Sequence, residues 1–212
     1  IIENDGLLTM NLTGNAAVEF DADSSVTYNG NVTQSTFLGA SGSPIEFRGT
    51  MNINGDGKVE PRFDFDGATV NINDLGERLR MSGGSQIVGD TNTINNSTIN
   101  GPGTLELDSG TALRGNGTIH AVIDDNGTAD LIAEGGTLTL GASILDIGVL
   151  GTNGPTGVLN VTNPWSTSAT NQVRLTQGRI QGASILNDGT NGIQGEGTVT
   201  ARVNNDTIIS AN

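Results

Sequence analysis

LRGNGTIHAVIDDNGTADLIAE, residues 113–134, and IQGEGTVTARVNNDTIISAN, residues 193–212, are two copies of one pattern with a short gap between them. Each opens on an apolar residue, then Gly-x-Gly, then Thr and a second apolar residue. Shorter copies of that opening stand at 53–59 (INGDGKV) and 99–105 (INGPGTL). A second element, GASIL, occurs at 141–145 and again at 182–186. Gly-rich sequence produces stray G-x-G pairs by chance. It does not readily flank each pair with apolar residues and then repeat twenty residues beyond.

The four openings are 46, 14 and 80 residues apart, so the repeat is not strict. Unequal spacing suits a solenoid with coils of unequal length better than a propeller with equal blades. Between the glycines the apolar residues alternate with polar ones. Met51-Asn52-Ile53, Phe63-Asp64-Phe65, Val70-Asn71-Ile72, Leu105-Glu106-Leu107, Leu138-Thr139-Leu140 and Leu159-Asn160-Val161 show the pattern most plainly. Period two means strands with one buried face and one wet face. One short coil cannot bury its apolar face alone, so coils must stack. Inward Ile, Val and Leu fit a narrow interior, and outward Thr and Asn can stand in rows of like residues. Gly marks the corners, where positive φ is needed. The chain is therefore expected to be all-β, with at most one short helix near residues 74–81. There Asp74-Leu75-Gly76-Glu77 has the form of a capping box, and Leu75 and Leu79 lie one turn apart.

Composition agrees. The chain has 212 residues, of which 82 are Gly, Thr or Asn, and a formal charge of −14. Leu, Ile, Val and Phe number 53, enough to bury a core rather than leave the chain disordered. Cysteine is absent, which excludes disulfides and thiolate metal sites. The acidic balance, 23 Asp and Glu against nine Lys and Arg, argues against a nucleic-acid binder. No apolar run approaches the roughly 20 residues of a membrane-spanning helix.

The G-x-G-T-[IV] strand, followed by an apolar-x-x-x-apolar segment and then Asn-Gly-Thr or Asn-Asp-Thr, resembles repeats in autotransporter passengers and other large bacterial surface proteins. The resemblance covers most of residues 95–212 and, more loosely, 1–72. It implies a right-handed parallel β-helix and an extracellular or cell-surface setting. At about 20–25 residues per coil the chain gives roughly nine coils, and at about 4.8 Å per strand a rod of roughly 45 Å. The expected organisation is one β-helix domain over residues 1–212, with lateral excursions at 73–81 and 148–171. Residues 206–212 align with 129–135, and the opening Ile1–Met10 has the form of the same motif. A segment of a longer repetitive chain, or a subunit that stacks end to end, is the expectation.

Parallel β-helices also carry pectate lyases, polygalacturonases and phage tailspike glycosidases, so carbohydrate cleavage is the alternative. It needs paired carboxylates, or calcium with a basic residue. The candidates are Asp124 and Asp125, with His120 and Glu134 nearby in sequence. Adjacent strand residues face opposite ways, and the matching copy carries Asn204-Asn205-Asp206, so a turn explains them better. His120, matched by Thr200, is expected to point outward into solvent. Of the polygalacturonase signatures only Arg179-Ile180-Gln181 faintly answers, and no Gly-His-Gly occurs. No catalytic residue and no cofactor are therefore expected, calcium excepted. For calcium, the i,i+2 pairs Asp21/Asp23 and Asp64/Asp66 are weak candidates, since six to eight oxygens are needed. Trp165, expected in a loop after Pro164, is the candidate glycan contact. Asn-x-Ser/Thr triplets at Asn11, Asn31, Asn96, Asn116, Asn126, Asn160 and Asn205 follow from composition. An ice-binding solenoid would want regular Thr ranks, which only Thr91-Asn92-Thr93 and Thr137-Leu138-Thr139 suggest locally. The first expectation is a structural or adhesive β-helix of a bacterial surface protein or fibre. It would associate end to end or continue into further repeats, and it would meet a glycan or other cell-surface ligand.

Overall fold

The alternating strands stack in parallel, each pairing with strands roughly one coil before and after it. The computed structural model describes residues 2–4, 9–11, 18–20, 25–38, 45–60, 63–73, 75, 78–81, 92–125 and 128–211. Three files of strands run along the stack and give the molecule three faces. The first face includes Thr69–Ile72, then 98–100, 117–119 and 137–140, then Val158–Val161. The second includes Arg78–Met81, Thr104–Leu107 and Val122–Asp125. The third includes Phe63–Asp66, 93–95, 113–116, 130–134, 149–153 and 172–176. Every named pairing is parallel, which makes the chain a β-solenoid, and between Thr69 and Ala211 it makes about seven turns. Earlier strands extend the same files backwards, as in Ser25–Leu38 on Thr50–Glu60.

Register explains the core. Val70, Ile99, Ile119, Leu140 and Val161 are successive Cα partners on the first face, and each is at most 1% exposed. On the third face Leu113, Leu131, Leu150 and Val173 form a second buried file. Phe47 lies over Phe65, and both are fully buried. Each coil so covers the apolar lining of the next, at about 25 cal/mol per Å² of apolar surface removed from water.

The coil length is steady where the chain is regular. Thr98, Thr118, Thr139, Asn160 and Gln181 are in register, 20 or 21 residues apart. The uneven spacing of the G-x-G motif has a simple cause. INGDGKV and INGPGTL turn the chain from the first face to the second. LRGNGTI and IQGEGTV turn it from the third face to the first. The motif is a corner device used at two different corners. At Gly115, φ is +135°, and an added Cβ would overlap the carbonyl oxygen of Ile94 in the coil before. Both constraints require glycine there.

Two expectations are corrected. Where at most one short helix was expected near 74–81, the described residues Arg78–Met81 form a strand of the second face, with Leu79 and Met81 inward and fully buried. Core packing outweighs the local capping signal, and Leu75 is left 82% exposed. The one helical turn among the described residues is the 3-10 turn Thr167–Ala169. The stretch 148–171 is no excursion, since Ile147–Asn153 and Val158–Val161 are in the stack. Trp165 lies on a strand, Trp165–Ser166, paired with Ile185–Asn187. That strand begins a small separate sheet that continues the second face through Val203–Asn205. Below it the second face is reduced to a single bridge, Ile144 to Ile123.

Candidate functional site

Charge gathers on the second face. Lys58, Arg80, Glu106 and Asp124 occupy one register position on successive strands. Glu106 lies between inward-facing Leu105 and Leu107, so it points outward, yet its side chain is only 3% exposed. Arg78 Nη1 donates to Glu106 Oε2 at 2.5 Å, and Arg80 Nε and Nη2 donate to Oε1 at 2.8 and 2.5 Å. Arg80 Nε also lies 3.4 Å from Asp108 Oδ1. Burial would push the Glu106 carboxyl up, but the hydrogen bonds and charges of Arg80 and Arg78 together outweigh it and hold it below its ordinary value. Its neighbour Asp124 goes the other way: burial and then the Glu106 charge raise it.

The carboxylates singled out from the sequence do not converge. Asp124 faces out beside Glu106. Asp125 is buried, and its Oδ2 accepts from the N–H groups of Ala129 (3.0 Å) and Gly148 (2.7 Å), so it closes a corner. Asn205, its counterpart in the second copy, stacks on Asn187 near the corresponding corner, with Asn187 Nδ2 donating to Asn205 Oδ1 at 2.5 Å. Asp124 and Asp125 thus both lie on the strand Val122–Asp125, not in the expected turn, and face opposite ways at its end. His120 is exposed, its ring packed over Gly141. Glu134 sits on the third face and accepts from Asn153 Nδ2 at 2.8 Å. Asp64 and Asp66 do share an outward face about buried Phe65, but their oxygens are engaged across coils. Thr93 Oγ1 donates to Asp64 at 2.9 Å, and Asn95 Nδ2 and Arg48 Nε donate to Asp66 at 2.7 and 3.2 Å. Among the described residues no cluster of three or more His, Cys, Asp or Glu is placed to hold a metal. Asp21 and Asp23 lie outside the described residues. Trp165 is half-buried against the core, with its indole N–H buried.

The outward faces carry rows of like residues. On the first face Thr50, Thr69, Thr98, Thr118 and Thr139 stand in one file. Beside it Asn71 Nδ2 donates to Asn52 Oδ1 at 2.9 Å, and Asn100 Nδ2 to Asn71 Oδ1 at 3.1 Å. The Thr file runs across coils, as expected of outward like residues in a stack.

Sequence reading missed two features, and each for a reason. Glu106 and its arginines are 26 and 28 residues apart, so no local motif joins them. The other is the corner between the third and first faces, where the chain bends with positive φ in turn after turn. Asn96, Gly115, Gly117, Gly135, Gly154, Gln177 and Gly195 all do so. Two open grooves lie end to end along this corner. One, of about 480 Å³, spans the bends at 95–98, 116–118 and 135–139. The other, of about 750 Å³, spans those at 155–158, 177–179 and 196–198. Asn96 and Gln177 are not glycine, which hid the regularity.

Compared with known protein families, curated proteins and solved structures, the chain matches none of them.

Proposed function

We propose that this chain is a rod-forming β-helix module of a bacterial surface protein or fibre, extracellular in setting, with a structural and adhesive task. The observation that supports this reading best is the set of in-register files running along the axis. Buried Val70, Ile99, Ile119, Leu140 and Val161 run inside, and the Thr and Asn files run outside. Such files cross-link each coil to its neighbours and make a stiff, protease-resistant rod. Lateral association of bare rods is opposed by the charge of −14. Ile209 stands over Ile193 and is 55% exposed, so a further turn or a second copy laid upon it would bury it. Electron microscopy of native material tests the reading. Filaments, or rods within a longer surface protein, are expected. Isolated compact particles that digest readily with protease would sink it.

The alternative, a polysaccharide-acting enzyme on the same scaffold, has one observation in its favour. Asp124, held up by burial and the Glu106 charge, is stacked one strand from that ionised carboxylate. Two carboxylates flanking the scissile bond are what glycoside cleavage uses. Release of reducing ends from a polysaccharide panel, abolished by Asp124→Asn, would favour it; no turnover would remove it.

A further inference from the structure

We infer that the groove along the corner between the third and first faces is a binding site for a neutral, linear glycan laid parallel to the rod axis. The smaller groove, about 480 Å³, is lined by Asn, Ser, Thr and Gly alone, with no charged and no aromatic residue. Thr98, Thr118 and Thr139 step along one wall at consecutive levels, about 4.8 Å apart. Asn95 and Asn116 step along the other, with Asn116 Nδ2 3.4 Å from Asn95 Oδ1. Gly117, Gly135 and Gly136 lie between, and a Cβ on Gly117 would overlap the Ser97 carbonyl oxygen while one on Gly136 would crowd Asn116. The concavity exists because side chains are missing where the strand bends.

The chemistry of the lining selects the ligand. The hydroxyls of Thr98, Thr118 and Thr137 make no hydrogen bond within the described residues, so each keeps a donor and an acceptor for a partner. Sugar hydroxyls both donate and accept, and a hydrophilic wall that repeats at every coil suits a polymer that repeats along its length. A polyanion finds no cation in this lining and faces a chain of charge −14. An apolar peptide finds no apolar pocket. The larger groove continues the same corner and adds Arg179 and Glu196, which widens the run available to a long chain.

The inference deepens the adhesive half of the proposed function and rests on it for the setting in which a glycan would be met. The experiment titrates the whole chain by calorimetry with neutral oligosaccharides of three and six units from the cellulose, xylan and mannan series. Binding that tightens at least tenfold from three to six units is expected for at least one series. Thr98→Val/Thr118→Val, which keeps shape and strand preference while removing two wall hydroxyls, is expected to weaken it tenfold or more with unchanged circular dichroism. Thr137→Arg, at an exposed position overhanging the groove, is the second variant and is expected to weaken it equally. No binding by the wild-type chain, no dependence on length, or equal binding by a folded variant overturns the inference. So does ice-growth inhibition in place of saccharide binding, which would assign the Thr file to ordered water. Filaments that bind no saccharide would end this inference and leave the structural rod untouched.

Discussion

Replacing Glu106 by Gln is the perturbation that tests the charged face most sharply. The carboxylate is 3% exposed and accepts three hydrogen bonds from Arg78 and Arg80. Hydrogen bonds to charged groups are worth about 1.5–3 kcal/mol each when buried. Here the guanidiniums are 53% and 33% exposed, so solvent screens their share and the surface scale of about 0–1 kcal/mol applies to Arg78. The amide keeps one acceptor for Arg80 but turns its NH₂ toward the donors of Arg78. A loss of about 2 kcal/mol near neutral pH follows. In a chain of this size that lowers the thermal midpoint by roughly 4–8 °C. The pH dependence gives a second, independent signature. Glu106 in the fold titrates below its ordinary 4.5, so its stabilisation is complete above that value and is lost as pH falls through the folded one. Wild type and Glu106→Gln should therefore differ most near neutrality and converge in acid. Calorimetric scans of both proteins across that range are the assay. Equal midpoints at neutral pH, or a difference that persists unchanged in acid, would refute the reasoning.

Three further outcomes are expected. Ile119→Ala, at the middle of the first-face file and fully buried, should cost about 2–5 kcal/mol in denaturant unfolding. Asp125→Ala should leave the N–H groups of Ala129 and Gly148 unpaired and cost about 1–3 kcal/mol for each, while Asp125→Asn should cost far less, as its counterpart Asn205 suggests. Burial raises Asp130 despite Arg174 at 3.8 Å and the charge of Arg114. A raised folded value means that acid relieves the fold of a buried charge and rising pH restores it. Asp130→Asn should thus stabilise the chain at neutral pH, with the gain vanishing in acid.

Much of the fold was legible because burial leaves a local trace. Leu138-Thr139-Leu140 and Leu159-Asn160-Val161 alternate in the sequence and stack in the structure with Thr139 opposite Asn160. The paired long copies were also legible: their openings at 113–119 and 193–199 both turn the chain from the third face to the first. What was hidden is what depends on register between distant strands. The Thr file on the first face draws one residue from each coil, and no stretch of sequence displays it. Leu75 and Leu79 read as a helical pair because they are spaced by one helical turn, although Leu75 stands exposed in a turn and Leu79 is buried in the strand Arg78–Met81. The groove was hidden more deeply, since its shape comes from absent side chains and from Asn96 and Gln177 bending where glycine was expected.

The gap on the second face has a mechanical consequence. At most levels three hydrogen-bonded seams hold one coil to the next. At the level of Ile144 the second seam is one bridge wide, and the sheet starting at Trp165 is separate from the rest. Tension applied along the axis is then shared by two seams there instead of three, so the rod should part first between 141–146 and 162–166. Stretched in an optical trap from its two ends, the molecule should yield in two unequal stages, the break falling at this joint rather than at random.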